Sequence, residues 1–85
     1  MVFTRTDAFK RDYKKLPSAI QKKFIRQLTI FSQNRKHPAL AAQKMTGKDD
    51  IWEARVDYHY RFTFKIGSHE IVLRRIGTHE IYRKP

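Results

Sequence analysis

Tyr60-Arg61-Phe62-Thr63-Phe64-Lys65-Ile66-Gly67-Ser68-His69-Glu70-Ile71-Val72-Leu73-Arg74 is the stretch whose reading decides the fold. Tyr60, Phe62, Phe64 and Ile66 alternate with Arg61, Thr63 and Lys65, the period of a strand with one buried face. Gly67-Ser68 is a hairpin-turn signal, and Ile71 and Leu73 alternate with Val72 and Arg74 on the return. A two-residue turn at Gly67-Ser68 sets Ile66 opposite His69, Lys65 opposite Glu70, Phe64 opposite Ile71, Phe62 opposite Leu73 and Arg61 opposite Arg74. A slip by one residue would carry Phe62 and Phe64 to the wrong face, so the pattern constrains register strongly.

Upstream, Trp52, Ala54 and Val56 alternate with Glu53 and Arg55. A three-residue loop, Asp57-Tyr58-His59, keeps the apolar faces together. It pairs Val56 with Tyr60, Ala54 with Phe62, Trp52 with Phe64 and Arg55 with Arg61. Arg55, Arg61 and Arg74 then form a row across the outer face, with Glu53 beside them. Like charges directly opposite one another destabilise a sheet. Arginine is the side chain suited to gripping phosphate in a fork, so the row reads as a phosphate site. The plainer alternative is a solvated face, some of its arginines paired with Glu53 or with a C-terminal carboxylate. Arg75 breaks the alternation, which requires either a place at the sheet margin or a bulge.

Before the strands the period is helical. Phe9, Tyr13 and Leu16 form one stripe, entered at Thr6 or Asp7 as a cap and ended by Pro17. Lys10, Arg11, Lys14 and Lys15 make its basic outer face. Ile20, Phe24, Leu28 and Phe31 form a second stripe widened by Ile25, with Ser18 and Gln21 spaced as a capping box and Asn34 near the end. Val2 to Thr4 reads as an additional short strand. The stretch 37–50 reads as a loop carrying Lys44 and Lys48, with a short strand near Gln43 to Met45. The expected fold class is α+β: an N-terminal strand and an antiparallel helical hairpin on one face of a mostly antiparallel sheet, whose other face is open.

The chain has 85 residues, enough for one domain, 1–85. Nineteen Lys and Arg face eight Asp and Glu, a formal charge of +11. Charge of that size opposes compaction and points to a polyanionic partner. No apolar run approaches a membrane span and no signal-peptide core precedes the first helix, so a cytoplasmic nucleic-acid-directed protein with no membrane contact is expected. There is no cysteine, and His37, His59, His69 and His79 lack metal-ligand spacing, so no metal site or cofactor is expected.

RNA backbone cleavage needs a base for the 2′-hydroxyl, an acid for the leaving oxygen and cations for the phosphorane charge; it needs no metal. Histidine suits the first two tasks and arginine the third. Gly77 permits the chain to leave the sheet, bringing His79 to the edge of the arginine row with Tyr82 nearby. The candidate constellation is Arg55 and Arg61 on phosphate, His79 as acid or base, and Tyr82 stacking on a base or orienting the 2′-hydroxyl. A solvent-exposed histidine and a core-closing tyrosine are the ordinary alternatives. His59, at a turn tip, is the weaker candidate.

Taken together, Phe9-Lys10-Arg11-Asp12-Tyr13-Lys14-Lys15-Leu16-Pro17, Trp52-Glu53-Ala54-Arg55-Val56, Tyr60-Arg61 and the closing Ile76-Gly77-Thr78-His79 resemble the RelE/ParE toxin superfamily over nearly the whole chain. The resemblance implies a microbial-RNase-like fold and a toxin of a bacterial type II toxin–antitoxin system. It implies metal-independent endonucleolytic cleavage of mRNA on the ribosome, hence inhibition of translation. It also implies neutralisation by a cognate antitoxin, with a free monomer and a hetero-oligomeric complex. Arg61 then matches the arginine on the scissile phosphate, His79 the general acid or base of the YafQ-like and YoeB-like branches, and Tyr82 the aromatic that follows. Arg55 matches an arginine of the YoeB-like branch. Ile51 and Glu53 stand where RelE has a lysine pair, and Tyr60-Arg61 replaces the aspartate-tryptophan of the YafQ-like branch. That leaves Glu53, Lys44 and Lys48 as candidate partners of His79. Two other functions fit the same fold: a ParE-like inhibitor of DNA gyrase without nuclease activity, and an inactive RNA-binding module.

Overall fold

A computed structural model describes residues 2–47 and 49–85. The elements run β1 (Val2–Arg5), α1 (Asp7–Lys14), α2 (Ser18–Gln33), a short 3-10 helix (Pro38–Leu40), β2 (Gln43–Lys44), β3 (Trp52–Arg55), β4 (Arg61–Ile66), β5 (Glu70–Gly77) and a 3-10 turn (His79–Arg83). The sheet is mixed, in the order β1-β5-β4-β3-β2, with β1 parallel to β5 and the other pairs antiparallel. The meander expected from the alternating stretch is its centre.

Thr6 caps α1 by accepting the Phe9 N–H at 3.0 Å, while its own hydroxyl donates to the Arg74 main-chain oxygen at 2.7 Å. One side chain therefore starts the helix and ties it to β5. The capping box at Ser18 does not form: Pro17 holds the N-cap position of α2 without a side-chain bond. Gln21 instead donates its Nε2 to the Tyr13 carbonyl at 2.8 Å, because the short connection brings the open C-terminal carbonyls of α1 within its reach. Ile25 is 53 % exposed, so it does not widen the buried stripe.

The core lies between the hairpin and the sheet, where Phe9, Phe24, Phe31, Phe62 and Phe64 are all buried. Their rings meet edge to face: Phe24 on Phe62 at 5.2 Å and Phe31 on Phe64 at 5.0 Å. Such pairs each add about 0.5–1.5 kcal/mol beyond area burial.

The β3–β4 register is the expected one, with Trp52 opposite Phe64, Ala54 opposite Phe62 and Arg55 opposite Arg61. The β4–β5 register differs. Gly67 N–H donates to the Glu70 oxygen at 2.8 Å, so Ser68 and His69 form the corner and Ile66 faces Ile71. Phe64 faces Leu73; then the pairing shifts, and Thr63 faces Arg75, Phe62 faces Ile76 and Arg61 faces Gly77. The displacement by two residues keeps every apolar side chain on its face. The bulge at Arg74 then returns Ile76 to the core, where it is 1 % exposed. Arg61 is therefore not opposite Arg74.

Nor is the outer face of the sheet open. Residues 78–85 return across it: Thr63, on that face, is 0 % exposed and donates its hydroxyl to the Pro85 main-chain oxygen at 2.8 Å. At Gly77 the glycine provides room, since a Cβ there would stand 3.0 Å from Ile81 Cγ2.

Candidate nucleic-acid interface

The loop between β3 and β4 is organised by Asp57. Its Oδ1 accepts the N–H of His59 at 3.0 Å and of Tyr60 at 2.9 Å, and its Oδ2 meets Lys23 Nζ at 3.4 Å. Burial alone would raise the Asp57 carboxyl pKa, but the two N–H donors and the Lys23 ammonium outweigh it and hold the group below its ordinary value. The loop backbone in turn receives Arg61. Arg61 Nη1 donates to the main-chain oxygens of Asp57, Tyr58 (3.1 Å) and Tyr60 (3.0 Å). Its Nε and Nη2 make no hydrogen bond among the described residues, so one edge of the fork is anchored and the other can take an anion.

Arg61 lines a shallow groove of about 390 Å³ together with Arg55, Tyr58, His59, His79 and Tyr82. Arg55 is exposed and directly opposite Arg61. Tyr58 is 83 % exposed and stands edge to face against His59, ring centroids 4.9 Å apart. Tyr82 donates its hydroxyl to Glu53 Oε1 at 3.1 Å. Burial, then the Glu53 charge and this hydrogen bond, raise the phenol pKa, with Arg61 pulling the other way, so Tyr82 is a neutral donor across the physiological range.

The fold thus brings His79, Arg61, Arg55 and Tyr82 into one groove. Glu53 reaches it only through the Tyr82 hydroxyl, and also accepts from Gln43 at 3.5 Å. Arg74 does not line it; its Nε donates to the Pro85 main-chain oxygen at 3.2 Å. Lys44 lies on the edge strand and pairs with Asp50 at 3.4 Å. Lys48 lies outside the described residues. Tyr58 as a groove residue was missed from sequence, and His59, the weaker histidine candidate, lines the same groove as His79. The signal was present, because a loop joining the paired Arg55 and Arg61 must hold its own side chains beside them. A larger hollow of about 450 Å³ adjoins the α1–α2 connection, but its Arg75 is committed to Asp12 at 2.6 Å. Among the described residues no three His, Asp or Glu side chains converge to hold a metal ion.

A groove of two imidazoles, two guanidiniums and two phenol rings is equipped for acid–base work on a stacked, anionic substrate. Three comparisons bear on which proteins share this frame. The structure resembles a YoeB/ParE toxin from Agrobacterium tumefaciens at 13 % identity and a TM-score of 0.80, covering 93 % of this chain and 99 % of that one. YafQ from E. coli gives 14 % identity and a TM-score of 0.77, with 94 % of each chain covered. The RelB–RelE antitoxin–toxin complex from Methanococcus jannaschii gives 20 % identity and a TM-score of 0.76, with 100 % of each covered. No curated protein matches by sequence. The family model described as the ParE toxin of type II toxin–antitoxin systems matches residues 4–81. With that match over most of its length, on the fold shared by RelE, YafQ and YoeB, the chain belongs to the ParE toxin family within the RelE/ParE superfamily.

Proposed function

We propose that this toxin is an endoribonuclease that cuts mRNA on the translating ribosome and so inhibits translation. The observation that carries the reading is the groove in which Arg61 and Arg55 meet His79 and His59 beside Tyr58 and Tyr82. The 2′-oxygen attacks the adjacent phosphorus as one imidazole removes its proton; the bond to the 5′-oxygen breaks as the other imidazole protonates it. The products are a 2′,3′-cyclic phosphate and a free 5′-hydroxyl, and the balance requires no metal. Arg61 and Arg55 hold the non-bridging oxygens as charge develops. Tyr58 offers a face on which a base stacks. Tyr82, neutral and bonded to Glu53, serves as a hydrogen-bond donor at the groove wall.

A cognate antitoxin is part of the same reading. The solved M. jannaschii and E. coli relatives include complexes with RelB and DinJ. Here Ile25 stands exposed on a groove of about 370 Å³ with Phe3, Phe9 and Leu28, next to Arg5. That suits an amphipathic segment with acidic flanks, as does a charge of +11. A neighbouring gene product of that kind should bind and raise the melting temperature; one that neither binds nor raises it would sink this part.

The test of the activity is mRNA cleavage in a purified translation system. Cuts that fall by about a hundredfold or more in His79→Ala and Arg61→Ala are expected. Gyrase inhibition is the second reading, favoured by the ParE description of the family match. It replaces the first if the wild type blocks supercoiling and leaves mRNA whole.

A further inference from the structure

His79 and Tyr82 sit on a five-residue 3-10 turn, an element too short to hold its own place. Its near end is seated by Ile81, buried at 4 % exposure and packed on Gly77. The far end is gripped from three sides. Arg75 is bound by Asp12 as a two-pronged pair, Nε to Oδ2 at 2.6 Å and Nη2 to Oδ1 at 3.1 Å, and its remaining Nη1 donates to the Lys84 oxygen at 3.2 Å. Asp12 Oδ2 also accepts the Ile76 N–H at 3.1 Å, at the end of β5 that β1 leaves uncovered. The Pro85 main-chain oxygen accepts from the buried Thr63 hydroxyl at 2.8 Å and from Arg74 Nε at 3.2 Å.

We propose that Asp12, Arg75, Thr63 and Arg74 form a clamp on the main chain of Lys84 and Pro85, and that these are positioning residues which hold His79 and Tyr82 in the groove. The proposal rests on the nuclease reading for its kinetic consequence, but not for its structural one. Every donor of the clamp spends its hydrogen bonds on main-chain oxygens or on Asp12 rather than facing the groove. Arg75 thus commits all three of its nitrogens to ordering the turn, and Arg74 commits its Nε there, outside the groove. Near-attack geometry is sensitive to displacements of about 1 Å, which cost up to about a hundredfold in rate.

Two substitutions separate the clamp from general stability. Arg75→Lys keeps the charge beside Asp12 but cannot fork to Asp12 and Lys84 together. Thr63→Val keeps the buried shape and removes the hydroxyl, while Thr63→Ser restores it. Each of the first two should lower kcat about tenfold or more with KM within about twofold, and Thr63→Ser should recover the wild-type value. In parallel, the His79 imidazole NMR signals should move toward free-histidine positions and narrow in Arg75→Lys and Thr63→Val, while the Tyr58–His59 loop signals stay fixed. Unchanged His79 signals in both folded variants overturn the clamp, as does unchanged kcat in an active enzyme. If the wild type cuts no RNA, the nuclease reading fails, and the His79 signals alone decide the clamp.

Discussion

Between β3 and β4 the chain turns on Asp57, whose carboxylate takes two loop N–H groups and a lysine. Between β4 and β5 it turns on Ser68 and His69, closed by one main-chain bond from Gly67 to Glu70. The first pairing has the register expected from its residues, and the second is displaced by two and then bulged. A turn organised by its own side chain leaves one way for the strands to meet. A turn without one leaves only the face of each residue specified, and the core then selects among registers that differ by two. The selection falls on the register that buries Leu73 and Ile76 together. It has a functional consequence: Arg55 and Arg61 remain side by side in the groove, while Arg74 departs to the C-terminal clamp.

If core burial pins the second register, Ile76→Ala should be the most damaging change. The expected loss is about 3 kcal/mol, a fall in melting temperature on the order of 15 °C. A loss under about 1 kcal/mol would show that something other than Ile76 holds β5 in place.

Asp57→Ala tests the other turn, and should cost about 1–2 kcal/mol by leaving the His59 and Tyr60 N–H groups without their acceptor. The pH dependence has a defined sign. A carboxyl whose folded pKa is depressed contributes stability above its unfolded value, near 3.8, and loses it as pH falls through the lower folded value. The gap between wild type and Asp57→Ala should therefore be full at pH 6 and shrink below about pH 4. A gap independent of pH would mean that the carboxylate charge plays no part.

Arg74→Ala should have the smallest effect on stability. It removes the Nε donor to Pro85 but leaves the bulge backbone, and with it the acceptor of the Thr6 hydroxyl, in place. A change below about 1 kcal/mol in thermal unfolding is expected. A larger loss would show that the Arg74–Pro85 bond holds the fold as well as the turn.

Much of the frame was readable because local chemistry has a short range. Phe9 and Tyr13, or Phe62 and Phe64, declare a helical or an alternating face within a few residues, and nothing distant overrides them. Arg55 opposite Arg61 followed from the three-residue loop that keeps the apolar faces of the two strands together. His79 and Tyr82 were legible as side chains that follow a departure from the sheet. The capping box at Ser18 was misread because Gln21 had a better acceptor in Tyr13, eight residues away. The contacts of Arg75 and Glu53 were not legible, since each depends on a partner at a distance, Asp12 and Tyr82; that Arg74 meets a C-terminal oxygen was only one alternative among several.

By itself the sequence determined the fold class, the helical hairpin, the face on which each strand residue before the β5 bulge lies and the basic character of the molecule. These depend on periodicity, turn residues and net charge, all of which are properties of neighbours along the chain. Only the tertiary structure decided the β4–β5 register, the bulge, the covering of the outer face by residues 78–85 and the division of the arginines into groove and clamp. Those outcomes depend on which distant groups compete for the same buried volume and the same main-chain oxygens, and that competition is resolved only when the core closes.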